Sequence, residues 1–190
     1  MSESESENNI TRNIQIAAIN VYHDFLNEDE CYLIIDECLK ISPELPSFQE
    51  DLCKLITRKM ATNHDLMFNI VSRIWNVNDT IFKYDIKGIP EGEEINFLEY
   101  NTNDKYNWHN DLGSSELKCT RKISFSLQLS RSEDYEGGDL KFLPNIDITA
   151  DIRKQGTLII YPSWMTHCIT PITSGTRYSV VSWVHGSSFR

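Results

Sequence analysis

The stretch Lys122-Ile123-Ser124-Phe125-Ser126-Leu127-Gln128-Leu129-Ser130 alternates without a break. Ile123, Phe125, Leu127 and Leu129 fall on one side, and Ser124, Ser126, Gln128 and Ser130 on the other. That is the period of two that an extended strand imposes. It predicts a half-buried strand, apolar toward a core and polar toward water. Working outward, Thr157 to Tyr161 is a short apolar strand stopped at Pro162, and Arg177 to Val184 is rich in β-branched and aromatic residues. Upstream, Phe82 to Ile86 and Ile95 to Tyr100 read as strands around the turn-rich Lys87–Gly92. Several short strands with turns between them predict a sandwich or jelly roll.

The first part of the chain has the helical period instead. Asn27 with Glu30 forms a capping box. Cys31, Ile34, Ile35, Cys38 and Leu39 then recur at helical spacing, which predicts about three turns ending at or before Ser42, the residue that precedes Pro43. Ser47 with Glu50 repeats the capping signal, and Phe48, Leu52, Leu55 and Ile56 offer an apolar face for a second helix. A third is expected from near His64 to near Val77, with Met67, Ile70, Val71, Ile74 and Trp75 inward. Helices would pack on one face of the strand-rich half.

With 190 residues the chain fits one domain, and it can bury a core without disulfides. The net charge of −10 argues against general binding to nucleic acid or a membrane surface. No apolar run is long enough to span a bilayer. Met1–Asn9 is polar and acidic, unlike a signal peptide, so a disordered tail over residues 1–10 and a cytoplasmic setting are expected. The five cysteines show no CxxC spacing and are read as reduced thiols, with Cys31 and Cys38 packing in the core.

Two motifs carry chemistry. In Trp108-His109-Asn110-Asp111, His and Asp two apart on an extended segment project to one side and offer a nitrogen and an oxygen to one metal. With 5 His and 13 Asp in 190 positions, chance supplies about one third of such a pair. Alone, it reads as a hydrogen-bonded surface loop. The second motif is Tyr161–His167, followed ten residues later by Arg177 at the start of an apolar strand. Ser179, Val181 and Trp183 share the arginine's side. Burying an arginine there is costly without an anion. An ordinary ion pair with Asp or Glu is the competing reading. Together, two histidines, one carboxylate and an arginine form a coherent set. A 2-His-1-carboxylate face leaves three positions open on iron(II), and a guanidinium suits a carboxylate.

At these residues the chain resembles the prolyl 4-hydroxylase-like branch of the iron(II)/2-oxoglutarate oxygenases, especially the PKHD-type hydroxylases. The resemblance covers about Tyr100–Arg190, in the blocks YNWHND, RKISFSLQLS, YEGGDLKFLP, GTLIIYPSWMTHCITPITSGTRYSVVSWV and GSSFR. It implies an α+β fold: a double-stranded β-helix (jelly-roll, cupin-like) core over about residues 81–190, with N-terminal helices over about 27–80 packed on one sheet. Residues 11–190 would form a single domain. It implies that His109, Asp111 and His167 hold Fe(II), and that Arg177 pairs with the C5 carboxylate of 2-oxoglutarate. Ser179 would be a second donor to that carboxylate. Tyr100 and Tyr106 would line the co-substrate pocket, and Trp183 would stand on the last strand near it. Gln128 falls where relatives have a tyrosine that contacts 2-oxoglutarate, and it departs from that pattern. The Gly137-Gly138 pair is read as a tight turn needing positive φ.

The implied reaction uses 2-oxoglutarate and O₂ to hydroxylate a C–H bond and releases succinate and CO₂, with ascorbate as an accessory. A prolyl residue of a peptide or protein is the favoured substrate. A free amino acid or other small molecule is the alternative, and a non-catalytic jelly-roll binding module is a more distant one. A zinc hydrolase would have no need of Arg177. Asn101–Lys105 and Ser130–Glu136 are the candidate substrate loops.

Overall fold

The computed structural model describes residues 18–44, 52–60, 65–144, 148 and 151–188. The acidic tail, Ser47–Glu50 of the expected second helix and the terminal Phe189-Arg190 lie outside the described residues.

The capping box forms as the sequence requires. The Asn27 side chain accepts from the Glu30 amide at 2.9 Å, and Glu30 accepts from the Asn27 amide at 2.8 Å. Helix α1 then runs over Glu28–Leu39 and buries Cys31, Ile34 and Cys38. Helix α2 spans Asp65–Val77 and buries Met67, Ile70 and Ile74. Trp75, expected inward, is instead exposed, and Val71 is half-buried.

The larger sheet has the order β1–β10–β7–β13–β5–β3, with β4 also paired to β13. Its strands are β1 (Asn20–Tyr22), β3 (Ile56–Met60), β4 (Ile86–Gly88), β5 (Ile95–Tyr100), β7 (Arg121–Gln128), β10 (Leu158–Pro162) and β13 (Arg177–Gly186). A second sheet runs β2–β6–β11–β9 through Cys53–Lys54, Lys105–His109, Thr166–Ile169 and Leu140–Leu143. A two-stranded ribbon joins β8 (Tyr135–Gly137) and β12 (Ile172–Gly175). Three strands therefore come from the first third of the chain, and they join both main sheets. All the described strand pairings are antiparallel, and with the two α-helices among the described residues the layout is compatible with a jelly-roll core.

Two apolar clusters divide the interior. One joins α1 and α2 to Ile95, Phe97, Ile123, Phe125, Leu127 and Leu129 on one face of the large sheet. The other joins Leu98, Tyr100, Ile159 and Tyr161 on its opposite face to Leu140, Phe142 and Ile169 of the second sheet.

Three further expectations are corrected. Leu52–Ile56 is not helical, because β2 and β3 occupy it. Ile56-Thr57 is a β-branched pair, and β3 zips along β5 from Ile56 opposite Glu99 to Met60 opposite Ile95. Phe82–Ile86 is not a strand. A wide helical turn over Asn78–Phe82 closes at Lys83, whose φ of 57° turns the chain, and only Ile86 is extended. Finally, β7 is buried on both faces rather than half-buried. Its serine face looks not at water but into the interior between the sheets.

Candidate metal centre and anion pocket

A cavity of about 740 Å³ opens between the two sheets. Its wall includes His109, Asp111, His167, Tyr100, Tyr106, Arg177, Ser179 and Trp183.

Strand pairing creates the metal site. β6 and β11 run antiparallel with His109 directly opposite His167, so the two rings meet with centroids 4.3 Å apart. His109 stacks on Tyr106 at 3.7 Å. Asp111 follows the end of β6, and the backbone carbonyl of Ser163 accepts its amide at 3.0 Å. The Asp111 oxygens then lie 3.7 Å from each histidine Nε2. One ligand atom from each of the three residues falls within 4.8 Å of the others.

The ring orientations are set from behind. His109 Nδ1 donates to the Asn107 carbonyl at 2.7 Å, and His167 Nδ1 donates to the Met165 carbonyl at 3.0 Å. Both Nε2 atoms are thereby left as lone-pair donors facing Asp111, as a metal-binding imidazole requires. Burial, then the neighbouring His167, holds His109 below the ordinary histidine value, which keeps it neutral. Two imidazole nitrogens and a carboxylate at this spacing fit a divalent iron. The Tyr161 hydroxyl lies 3.3 Å from His167 Nε2, and burial pushes its pKa well up, so it stays a neutral phenol beside the site.

Arg177 lines the same cavity. It is only 1% exposed. Its Nη2 donates to Gln128 Oε1 at 2.6 Å and its Nη1 to Ser179 Oγ at 3.2 Å. Nε has no partner. Among the described residues no carboxylate forms an ion pair with it, so the competing ion-pair reading fails. A buried cation served only by neutral groups fits an incoming anion. Tyr100 lies opposite Arg177 in the sheet, with the guanidinium 5.3 Å from its ring. Burial raises the Tyr100 phenol far above its ordinary value and lifts Tyr106 to about 12.

Gln128 is not on the cavity wall. It stands behind Arg177, accepting from it while donating to Ser126 at 2.9 Å. Gly137 and Gly138 have φ of 71° and 65°, the tight turn that was expected. The turn also packs against the site, since a Cβ on Gly138 would lie 3.2 Å from Arg177 Cδ. Of the two candidate substrate loops, Asp104 lines the cavity and nothing from Ser130–Glu136 does.

Sequence reasoning missed a second charged group in the same cavity. Arg121 grips Glu93 at 2.8 and 2.9 Å, and His185 reaches the same carboxylate at 2.7 Å. The Arg121 guanidinium stacks 3.5 Å from the Trp183 ring centroid. These partners are 28 and 92 residues apart, so no local signal marks them.

Residues 95–185 match the 2OG-Fe(II) oxygenase superfamily. A PKHD-type hydroxylase of Synechococcus sp. strain CC9605 is 38% identical over 82 residues, which is 43% of this chain and 36% of that one. The chain spans well under half the length of such curated relatives. A Pseudomonas putida prolyl-4-hydroxylase superposes with a TM-score of 0.68 at 16% identity, covering 90% of this chain and 94% of that one. A viral collagen prolyl hydroxylase from Paramecium bursaria Chlorella virus-1, solved as a 2OG complex, gives 0.67 at 16% identity, covering 90% and 97%. At that identity the two structures share the fold with this chain.

Proposed function

We propose that this chain, whose residues 95–185 match the 2OG-Fe(II) oxygenase superfamily, is an Fe(II)- and 2-oxoglutarate-dependent hydroxylase acting on a prolyl residue of a peptide or protein. It would work as one domain over residues 11–190, releasing succinate and CO₂. The observation that carries the reading is Arg177, a buried guanidinium without a carboxylate partner, in the same cavity as a His109–Asp111–His167 face.

His109, Asp111 and His167 would hold the iron, and Arg177 with Ser179 would bind the far carboxylate of 2-oxoglutarate. When bound, iron supplies the activation of O₂ that protein side chains lack. The chain's own groups do the rest. Backbone carbonyls fix the imidazoles, Gln128 aims Arg177, and Tyr100, Tyr106 and Trp183 wall the cavity against water. The peptide substrate is inferred from relatives, among them a prolyl hydroxylase from Trichoplax adhaerens solved in complex with a hypoxia inducible factor peptide fragment. Among the described residues no helix is long and apolar enough to cross a membrane. The five thiols are free, which suits a reducing cytoplasm.

The test is an anaerobic one. Protein with iron(II) and 2-oxoglutarate should develop a visible charge-transfer band and yield succinate once air is admitted. His109→Ala should do neither. A wild type with no band and no succinate under any peptide overturns the reading. A mass gain of one oxygen on proline-containing peptides supports the substrate class, and a gain only on free amino acids moves it to small molecules.

A further inference from the structure

The serine face of β7 contacts the metal site through Ser124. Its Oγ lies 2.7 Å from Asp111 Oδ2 and 3.0 Å from Ser163 Oγ. Ser124 is 1% and Ser163 0% exposed, so neither hydroxyl exchanges its partner for water. Ser124 has one proton to give. A carboxylate bound to a metal can only accept, so the proton goes to Asp111, and Ser163 must donate to Ser124. The hydroxyls therefore have a direction, Ser163 to Ser124 to Asp111.

Ser163 is itself fixed at both backbone ends. Its amide donates to Lys122 at 2.9 Å, while its carbonyl accepts from Asp111 at 3.0 Å and Leu112 at 3.1 Å. One residue thus holds the Asp111 backbone and, through Ser124, one oxygen of its side chain. Oδ1 faces His109 Nε2 at 3.7 Å and Oδ2 faces His167 Nε2 at the same distance, so what separates the two oxygens is the hydroxyl that Ser124 gives to Oδ2 alone.

We propose that Ser163 and Ser124 form a directed hydroxyl pair that positions Asp111 as a one-oxygen metal ligand. Oδ2 is engaged by the serine, and Oδ1 is presented to the ion. The remaining positions on the metal then stay free for ligands other than the protein. This inference rests on the metal-binding reading above. Both serines are positioning residues, since they act through Asp111.

Cobalt(II) is the probe, with binding measured by equilibrium dialysis and the visible spectrum of the loaded protein. Loss of an outer partner of a metal ligand typically costs 10–100-fold in affinity, so Ser124→Ala should weaken binding by about 10-fold or more. Its cobalt spectrum should also lose intensity as the second carboxylate oxygen enters the coordination sphere. Ser163→Ala should weaken binding less. The double variant should be no worse than Ser124→Ala, because the pair acts in series. Ser124→Thr, which keeps the hydroxyl, should restore both affinity and spectrum. Cobalt binding by Ser124→Ala at wild-type strength and with an unchanged spectrum overturns the inference alone. So does a deficit in Ser124→Thr equal to that of alanine, or full additivity in the double variant. A wild type that binds no cobalt overturns the functional reading along with it.

Discussion

Arg121 and Arg177 line the same cavity and are 6% and 1% exposed, yet the fold treats them in opposite ways. Arg121 is matched at once by Glu93, by the ring of Trp183 and, through the shared carboxylate, by His185. Among the described residues Arg177 has an amide oxygen, a hydroxyl and, 5.3 Å away, the ring of Tyr100, but no carboxylate, and its Nε has no hydrogen-bond partner. A buried cation is tolerable when a carboxylate neutralises it, and costly when left with neutral groups. The difference separates a charge that completes the fold from a charge held ready for a guest.

The sharpest way to break that comparison is to remove each cation. Arg121→Met strands Glu93 in the interior and should destabilise the protein by about 3–5 kcal/mol, read from the urea midpoint. Arg177→Met strands no carboxylate, so its urea midpoint should move little or rise. Its effect belongs to the ligand: 2-oxoglutarate binding, measured by calorimetry, should weaken by about 2–3 kcal/mol, a loss of roughly 30- to 150-fold. Equal loss of stability in the two variants would erase the distinction.

Gln128→Ala tests the posture of Arg177 rather than its charge. Loss of one hydrogen bond to a buried cation should cost about 1–2 kcal/mol of 2-oxoglutarate affinity. An unchanged affinity would mean that Ser179 and the sheet hold the guanidinium unaided.

Acid should sharpen the Arg121 side by itself. Burial pushes the Glu93 carboxyl up, but the bonds from His185 and Arg121 outweigh it and hold it below its ordinary 4.5. A depressed carboxyl contributes stability above that ordinary value and loses it as pH falls through the folded one. The wild type should therefore lose stability below about pH 4.5 more steeply than Glu93→Gln. Parallel curves would show that Glu93 contributes nothing specific.

The same contrast explains what the sequence made legible. His109 and Asp111 alone read as a surface loop, and only together with His167, with Arg177 ten residues further on and with the resemblance over Tyr100–Arg190 do they read as a metal-binding face. Arg177 is found because a charge opens an otherwise apolar strand. Glu93, Arg121 and His185 carry no such mark, since their association is made by the pairing of β13 with β7 and the loop before β5. The alternation of Ile123 to Ser130 gave the strand correctly and its polar face wrongly. Binary pattern distinguishes polar from apolar, but not water from a polar cavity. Leu52, Leu55 and Ile56 fit a helix face or a strand equally well, and only their pairing with β5 and β6 decides.

β13 sets Arg177, Ser179, Val181 and Trp183 in a row along the cavity. At about 3.4 Å per residue, the arginine and the tryptophan stand roughly 20 Å apart along the strand. The strand is thus a gauge for the length of whatever occupies the cavity. Its graduations are coarse, because inserting one residue would turn every later side chain to the opposite face. The reach between acid anchor and aromatic wall can be lengthened or shortened only two residues at a time, in steps of about 7 Å.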